Sequence, residues 1–252
     1  FKLDLRSYDC RAEGTKLIQL DHTEIFTDVT LWPLIKVGAN GQDSTVVEKR
    51  VRRALSSAEK YSLIANSVKS DILIEPAIEV DRLKLKTDGI RINRNDLPDI
   101  DFGTDAETAI GRLVASFGDP TEDTGWQLST DKYGVCAGDP ERIVIFGTFA
   151  AVVTKPGGTE IFNGYRQDLS FGDAAHPAAS METLSGLALG DTVTTLREIY
   201  QSQDVTFEND PRLGEIFRVT STSGTLLLWG PVEGTEDGDR VLGIYGPDEC
   251  GR

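Results

Sequence analysis

The sequence predicts an α+β protein with an N-terminal strand-helix-strand module (1–86) followed by two tandem helix plus antiparallel-sheet repeats (87–180 and 181–252). Three observations favour this fold. A short pattern occurs twice, and each copy opens an amphipathic run that strand-like segments follow. Capping-box patterns mark the starts of two helices. The balance of charge changes sharply near residue 86, which indicates a module boundary.

The N-terminal module is predicted from one strand, one helix and a second strand. The first strand covers Asp28–Val37, and Pro33 within it favours an edge or a bulge. Thr45-x-x-Glu48 opens a helix whose apolar residues recur at helical spacing. The last strand covers Asp71–Glu79 and is broken by Pro76.

The two repeats are predicted from matching signals. In the first, Phe102-Gly103-Thr104-Asp105 opens a helix with the capping box Thr104-x-x-Glu107, and Gly118-Asp119-Pro120 ends it. In the second, Leu189-Gly190-Asp191-Thr192 opens a helix that runs to Tyr200. Strand-like segments separated by turn residues follow each helix, and an antiparallel meander fits them best.

Charge excludes several classes of partner. The net charge is −15, and 1–86 hold 14 basic and 13 acidic residues, whereas the remainder holds 12 basic and 28 acidic residues. Nucleic acids and anionic membrane surfaces need a basic footprint, so neither is an expected partner. The longest apolar stretches have strand length, so we expect no transmembrane segment.

The three cysteines indicate a cellular compartment. Cys136 and Cys250 both follow a Tyr-Gly pair in glycine-rich turns, which favours a disulfide between them and therefore an oxidising compartment. Two ordinary reduced thiols are the alternative. Cys10 is left over, either free or paired with another molecule.

Several motifs in 87–252 resemble known families. The helix starts resemble those of small outer-membrane lipoproteins and of tandem-repeat β-lactamase inhibitor proteins. Phe102-Gly103-Thr104-Asp105, the run 118–126, Gly134-Val135-Cys136-Ala137-Gly138 and the terminal Cys250-Gly251 resemble a group of uncharacterised actinobacterial envelope proteins. That resemblance implies export, a helix-plus-sheet repeat and a disulfide, and it implies no activity.

Catalytic and cofactor signals are sparse. Asp123-Thr124-Gly125 matches the aspartic-protease triplet, but it occurs once, whereas that chemistry needs two carboxylates. A carboxylate pair of glycosidase type is defined by spatial separation, so the sequence leaves it open. We expect no cofactor. Calcium is the best candidate, at Glu236–Asp239 or Asn93–Asp101, and an ordinary turn is the alternative at both.

Two tryptophans are candidate partner-binding residues. Trp126 and Trp229 each lie beside glycine at a predicted strand edge, where they would anchor a partner, and burial in the core is the alternative. The sequence therefore predicts an exported, non-enzymatic binding or inhibitor-like protein. It would recognise another protein or a cell-envelope component through its acidic surface, outside the cell or in the envelope. A structural subunit of an envelope assembly and a carboxylate-dependent hydrolase are the alternatives.

Overall fold

The chain forms two compact units. The computed structural model describes residues 3–39, 44–62, 70–81, 83–92, 97–172 and 181–247. The N-terminal unit comprises 1–39 with 43–81, and the C-terminal unit comprises 40–42 with 82–252.

The N-terminal unit is a four-stranded sheet with one helix. Its elements are β1 (Asp4–Ile18), β2 (Glu24–Gly38), α1 (Ser44–Tyr61), β3 (Asp71–Ile74) and β4 (Ala77–Asp81).

A long antiparallel hairpin of β1 and β2 forms the frame of this unit, and β3 and β4 lie parallel to β2 on its other side. On that side, the pairing of β2 with β3 ends at Leu31, which stands opposite Ile74, and its pairing with β4 begins at Leu34, which stands opposite Ala77. Pro33 lies between these two ladders. Because no ladder residue stands opposite Pro33 on that side, its missing N–H costs no hydrogen bond. A proline is therefore tolerated in an interior strand.

The core of the N-terminal unit lies at one end of the sheet. Ile35 and Val37 of β2 are buried against Val47 and Val51 of α1. The helix prediction that starts from Thr45 is confirmed, and its apolar stripe faces the sheet. The other end of the hairpin is largely exposed, and the side chains of 8–18 in β1 are exposed without a break.

The C-terminal unit contains thirteen short or medium strands and two helices in the residues described. They are β5 (Lys84–Lys86), β6 (Gly89–Arg91), β7 (Ile100–Asp101), α2 (Ala106–Phe117), β8 (Glu122–Asp123), β9 (Gln127–Leu128), β10 (Pro140–Phe146), β11 (Phe149–Thr154), β12 (Ile161–Asp168), β13 (Glu182–Thr183), α3 (Val193–Ile199), β14 (Asp204–Asp210), β15 (Gly214–Thr220), β16 (Leu226–Pro231) and β17 (Gly243–Gly246). Single 3-10 turns cover Pro156–Gly158 and Leu169–Phe171.

One large antiparallel sheet organises this unit. Its strand order is β14-β15-β16-β17-β12-β11-β10-β8, and β9 also pairs with β10. The pairing of β12 with β17, from Tyr165 opposite Gly246 to Asp168 opposite Gly243, joins the two parts of the sheet. A second, four-stranded sheet has the order β13-β5-β6-β7.

The two helices and the small sheet contribute to one apolar core on the first face of the large sheet. Leu113 of α2 and Leu196 of α3 are buried there with aromatic residues of the large sheet, including Phe149 and Phe162. Asp105 caps α2 by accepting from the Thr108 amide at 3.0 Å, whereas the Thr104 hydroxyl donates to the Asp101 carbonyl. The N-cap residue of α2 is therefore Asp105, one residue after the predicted Thr104.

The predicted fold class is wrong. The protein is mostly β, and its large antiparallel sheets replace the predicted helix-plus-sheet repeats. The strands expected to form two repeat sheets instead form one continuous sheet, because β12 pairs with β17, from Tyr165 opposite Gly246 to Asp168 opposite Gly243. The N-terminal unit is not a strand-helix-strand module either, since β1 and two parallel partners flank β2.

Candidate functional site

The two candidate tryptophans occupy opposite environments. Trp229 in β16 is 1% exposed. Its ring packs edge-on against Tyr245, with ring centroids 4.8 Å apart, and the Arg166 guanidinium lies 5.4 Å from it. A partner could reach this ring only if the sheet face opened. Trp126 is 37% exposed and lies immediately before β9.

Trp126 belongs to an exposed apolar surface at the edge of the large sheet. Leu128 of β9 is 69% exposed and lies directly opposite Pro140 of β10, which is also exposed. The Lys155 ammonium lies 4.4 Å from the centroid of the Trp126 ring. We call Trp126, Leu128, Pro140 and Lys155 the tryptophan patch.

A cavity adjoins two members of the tryptophan patch. A cavity of about 310 Å³ is lined by Pro140 and Lys155 of the patch, together with Val135, Asp139, Thr154 and Asn163. Its volume lies at the lower end of the range for small-molecule sites and would also admit one large side chain. The lining combines apolar side chains with one carboxylate and one ammonium group, which suits recognition better than bond cleavage.

Backbone and side-chain contacts hold the patch in place. The Thr124 amide donates to the Ile143 carbonyl at 3.0 Å, and the Ser129 amide donates to the Asp139 carbonyl at 2.8 Å, so both ends of the segment carrying Trp126 are tied. The Lys155 ammonium also binds Glu160 at 2.7 Å. The patch is therefore built on ordered backbone rather than on a free loop.

Asp123, the acidic member of the protease-like triplet, forms an ion pair with Arg142. The guanidinium donates to both carboxylate oxygens, at 3.0 and 2.7 Å, and also to Glu107 at 2.7 Å. The hydrogen bonds from Arg142 hold the pKa of Asp123 below its usual range. A carboxylate held ionised by an arginine is the opposite of the shared proton that aspartic-protease chemistry requires.

The second face of the large sheet contains buried charge. Arg166 of β12 is 1% exposed, and its guanidinium donates to the Tyr165 carbonyl at 2.6 Å and to the Gly246 carbonyl at 2.9 Å. It also lies 5.4 Å from the centroid of the Tyr245 ring. Asp168, two residues further along β12, accepts from the Tyr245 hydroxyl and from the Ser170 amide. Burial, reinforced by the Asp168 carboxylate, raises the pKa of Tyr245.

Glu141 of β10 is the second buried carboxylate of this face and is also 1% exposed. Burial raises the pKa of its carboxyl group, although Ser129, the Gln127 amide and the Arg166 charge act in the opposite direction. One oxygen lies 3.4 Å from the Gln127 amide nitrogen. Among the residues described, the other oxygen has no hydrogen-bond donor.

The segment between β9 and β10 covers these charges. Tyr133 and Val135 pack on Ile143 and Val152 of the sheet, and Phe171 adds to the same cluster. Gly134 has a φ of +72°, and a Cβ atom there would collide with the Arg166 guanidinium. The Arg166 guanidinium is therefore enclosed beneath this segment and does not line an open cleft.

No protein-family model matches this sequence, and a comparison with curated proteins finds no match. In the part of the chain described, no helix is both long enough and apolar enough to cross a lipid bilayer.

A second cavity also lacks a carboxylate pair. It has a volume of about 500 Å³ and is lined by Asp168, Leu169, Ser170, Arg212, Leu213 and Leu242. Asp168 is its one carboxylate, and the bonds to Tyr245 and Ser170 already occupy both of its oxygens. Neither cavity therefore shows the two facing carboxylates of a glycosidase site.

In the candidate calcium segments, several carboxylates of the described residues bind groups of the protein itself. The Asp239 carboxylate accepts from the Glu236 amide at 2.8 Å, and Asp237 binds Arg197 at 2.7 Å. Residues 93–96 lie outside the described residues, and Asp99 accepts from the Ile92 amide at 3.0 Å. Over the described ranges, no three His, Cys, Asp or Glu side chains are placed to hold a metal ion.

The structure describes two of the three cysteines. Cys10 lies in β1 as an exposed free thiol. Cys136 lies in the segment that covers Arg166, and Cys250 lies outside the described residues. The Cys136–Cys250 disulfide therefore stays a prediction.

The sequence analysis missed most of the tryptophan patch. Leu128 follows Trp126 by two residues, and in an extended chain such residues lie on the same side. That spacing could have indicated Leu128. Pro140 begins β10 and Lys155 follows β11, so only the pairing of strands in the sheet brings them to Trp126.

Proposed function

We propose that this chain is a non-enzymatic binding protein that recognises another protein through the tryptophan patch. The observation that carries the proposal is an exposed tryptophan and an exposed leucine beside a cavity, on a fixed sheet edge. Aromatic anchors at the centre of such a surface contribute most of the binding free energy at protein interfaces.

The charge of the C-terminal part supports one class of partner. The chain after residue 86 has a net charge of −16, from 12 basic and 28 acidic residues. Asp139 adds a carboxylate to the cavity wall. A partner with an apolar side chain for the cavity and basic residues around it would match this surface, and opposite charge would accelerate association.

Export to the envelope or the cell exterior is part of the same proposal. It is supported by the sequence alone, through the placement of Cys136 and Cys250 and the resemblance to envelope proteins.

Site-specific photocrosslinking in the producing cells tests the proposed surface. A photoreactive amino acid at position 128 is expected to give one dominant adduct, and Trp126→Ala in the same chain is expected to reduce its yield at least tenfold. Loss of a central tryptophan anchor costs about 2 kcal/mol or more at an interface.

Leu184 provides the matched control, because it is an exposed leucine of the same unit at 48% exposure and lies outside the patch. The same photoreactive residue at position 184 is expected to give no adduct that depends on Trp126. Equal adducts from both positions, or an adduct at position 128 that survives Trp126→Ala, would reject the patch as the binding surface.

A structural subunit is the second candidate function. One observation favours it: the β1–β2 hairpin is exposed over much of its length. Its large side chains Tyr8, Leu17 and Phe26 are 53%, 50% and 55% exposed. Surfaces of this kind commonly mark contacts with other proteins. An adduct from a photoreactive residue at position 26 of this hairpin, with none from position 128, would favour the subunit over the binding protein.

A further inference from the structure

The outer edge of β1 is free in the residues described. β1 is the first strand of its sheet and pairs only with β2 among them. Its side chains are exposed from Tyr8 to Ile18. An edge strand of this length presents a row of backbone N–H and C=O groups that can pair with another strand.

The backbone groups of Cys10 face this outer edge. Cys10 stands opposite Pro33 in the β1–β2 ladder. Since proline has no N–H, this pair cannot exchange the two hydrogen bonds of a hydrogen-bonded pair. The N–H and C=O of Cys10 therefore point away from β2, as do those of Tyr8 and Ala12, two residues to each side.

We propose that the outer edge of β1 pairs with the same edge of a second copy of this chain. The two β1 strands run antiparallel, and the two-fold axis passes midway between the two Cys10 residues. Such an interface is isologous, so each contact occurs twice. In this register Asp9 of each copy faces Arg11 of the other, and Tyr8 faces Ala12.

Charge selects this register over its neighbours. A two-fold axis at Asp9 would place the two Asp9 carboxylates opposite each other. An axis at Arg11 would place the two arginines opposite each other and Asp9 of each copy opposite Glu13 of the other. Like charges directly opposite each other destabilise a strand pair, whereas opposite charges stabilise it. An axis at Ala12 would also pair opposite charges, Arg11 with Glu13, so charge leaves two registers, those with the axis at Cys10 and at Ala12.

The free thiol distinguishes the two charge-compatible registers. Directly opposite residues of a hydrogen-bonded antiparallel pair have Cα atoms about 5.5 Å apart. This separation lies within the range that a disulfide spans. With the axis at Cys10 the two Cys10 thiols face each other, whereas with the axis at Ala12 each thiol faces Gly14.

Charge reversal tests the interface in the full chain carrying Cys10→Ser, without reductant, with sedimentation equilibrium as the measurement. Asp9→Arg and Arg11→Asp are each expected to weaken dimer formation at least tenfold, because each creates two like-charge pairs. The double variant Asp9→Arg/Arg11→Asp is expected to restore it. A monomeric Cys10→Ser chain at its highest soluble concentration, or a dimer that none of these variants changes, would overturn the proposal.

Disulfide trapping tests the register. Glutathione disulfide accepts the two electrons and two protons released when two Cys10 thiols form one S–S bond, and is itself reduced to two glutathione molecules. The wild type is expected to form a Cys10–Cys10 dimer that peptide mapping identifies. If Ala12→Cys in a Cys10→Ser background forms the dimer and the wild type does not, the axis lies at residue 12 and the proposed register is wrong.

These outcomes are independent of the proposed binding function. Trp126→Ala is expected to leave dimer formation unchanged, and the charge reversals in β1 are expected to leave the adduct at position 128 unchanged. Failure of one proposal can therefore be told apart from failure of the other.

Discussion

Glu141, Arg166 and Asp168 are buried in one face of the large sheet, although transfer of an ion from water into a protein interior costs several kcal/mol. Arg166 offsets this cost through two backbone carbonyls and the faces of two aromatic rings. Asp168 is similarly supplied with donors by Tyr245 and Ser170. One oxygen of Glu141 lacks a hydrogen-bond donor among the residues described.

Replacement of Glu141 by glutamine is expected to increase the free energy of unfolding at neutral pH. Burial raises the pKa of this carboxyl group, so the folded protein favours its neutral form. The corresponding stability is complete below the unfolded pKa of about 4.3 and is lost as the pH rises through the folded pKa. The advantage of Glu141→Gln over the wild type should therefore appear as the pH rises above about 4.

Asp123→Asn supplies a control of opposite sign. Arg142 lowers the pKa of Asp123, so that carboxylate stabilises the folded protein above its unfolded pKa, and this stability is lost as the pH falls through the folded pKa. Urea unfolding of both variants from pH 2.5 to 7.5 measures the two effects, because the loss for Asp123 lies below the ordinary aspartate pKa of about 3.9. A Glu141→Gln variant that is less stable than the wild type at pH 7 would show that the charged form is preferred.

At the scale of elements, the helices were predictable and much of the sheet was not. α1 and α2 carry apolar residues at helical spacing because each packs one face on a sheet. β1 was missed because its side chains from Tyr8 onward are exposed, so no alternation of apolar and polar residues marks it as a strand. The pairing of β12 with β17 depends on residues far apart in sequence, and no local pattern encodes it.

The same limit applies to the tryptophan patch. Trp126 and Trp229 both lie beside glycine, so the sequence presents them alike. Their burial differs because Trp229 lies in an interior strand against Arg166 and Tyr245, whereas Trp126 lies at the sheet edge. Exposure of a side chain is a property of strand order, which only the folded structure shows.

Substitution of Gly89 tests the close approach of β6 to β7. Gly89 in β6 has a φ of +154°, and a Cβ atom there would collide with the backbone of Ile100 and Asp101 in β7. Gly89→Ala is therefore expected to lower the free energy of unfolding by about 2 kcal/mol or more. Urea denaturation of the full chain, followed by far-UV circular dichroism, measures the loss.

Gly111→Ala is the matched control. Gly111 lies in α2 with ordinary helical backbone, and a Cβ atom there meets nothing within 4 Å. Alanine at this position is expected to raise the free energy of unfolding by about 0.5–1 kcal/mol, because glycine loses more backbone freedom in a helix. Equal effects of the two substitutions would contradict the packing described around Gly89.

At the scale of the whole molecule, charge distinguishes the two parts of the chain. The acidic excess lies entirely after residue 86, so the N-terminal part is close to neutral and the C-terminal part is strongly negative. A concentration of like charge opposes compaction of the acidic part. A covalent link within that part would offset this repulsion, and the cysteines at 136 and 250 are both located there.

Peptide mapping of dilute protein, alkylated without reduction and without added oxidant, is expected to show Cys136 linked to Cys250 and Cys10 alkylated. Reduction is then expected to lower the free energy of unfolding by about 4–5 kcal/mol, since the bridge closes a loop of more than 100 residues in the unfolded chain. Cys136→Ser should reproduce this loss, whereas Cys10→Ser should not. If all three cysteines are alkylated, or if Cys10 is linked to either of the others within one chain, both the bridge and the argument for an oxidising compartment fail.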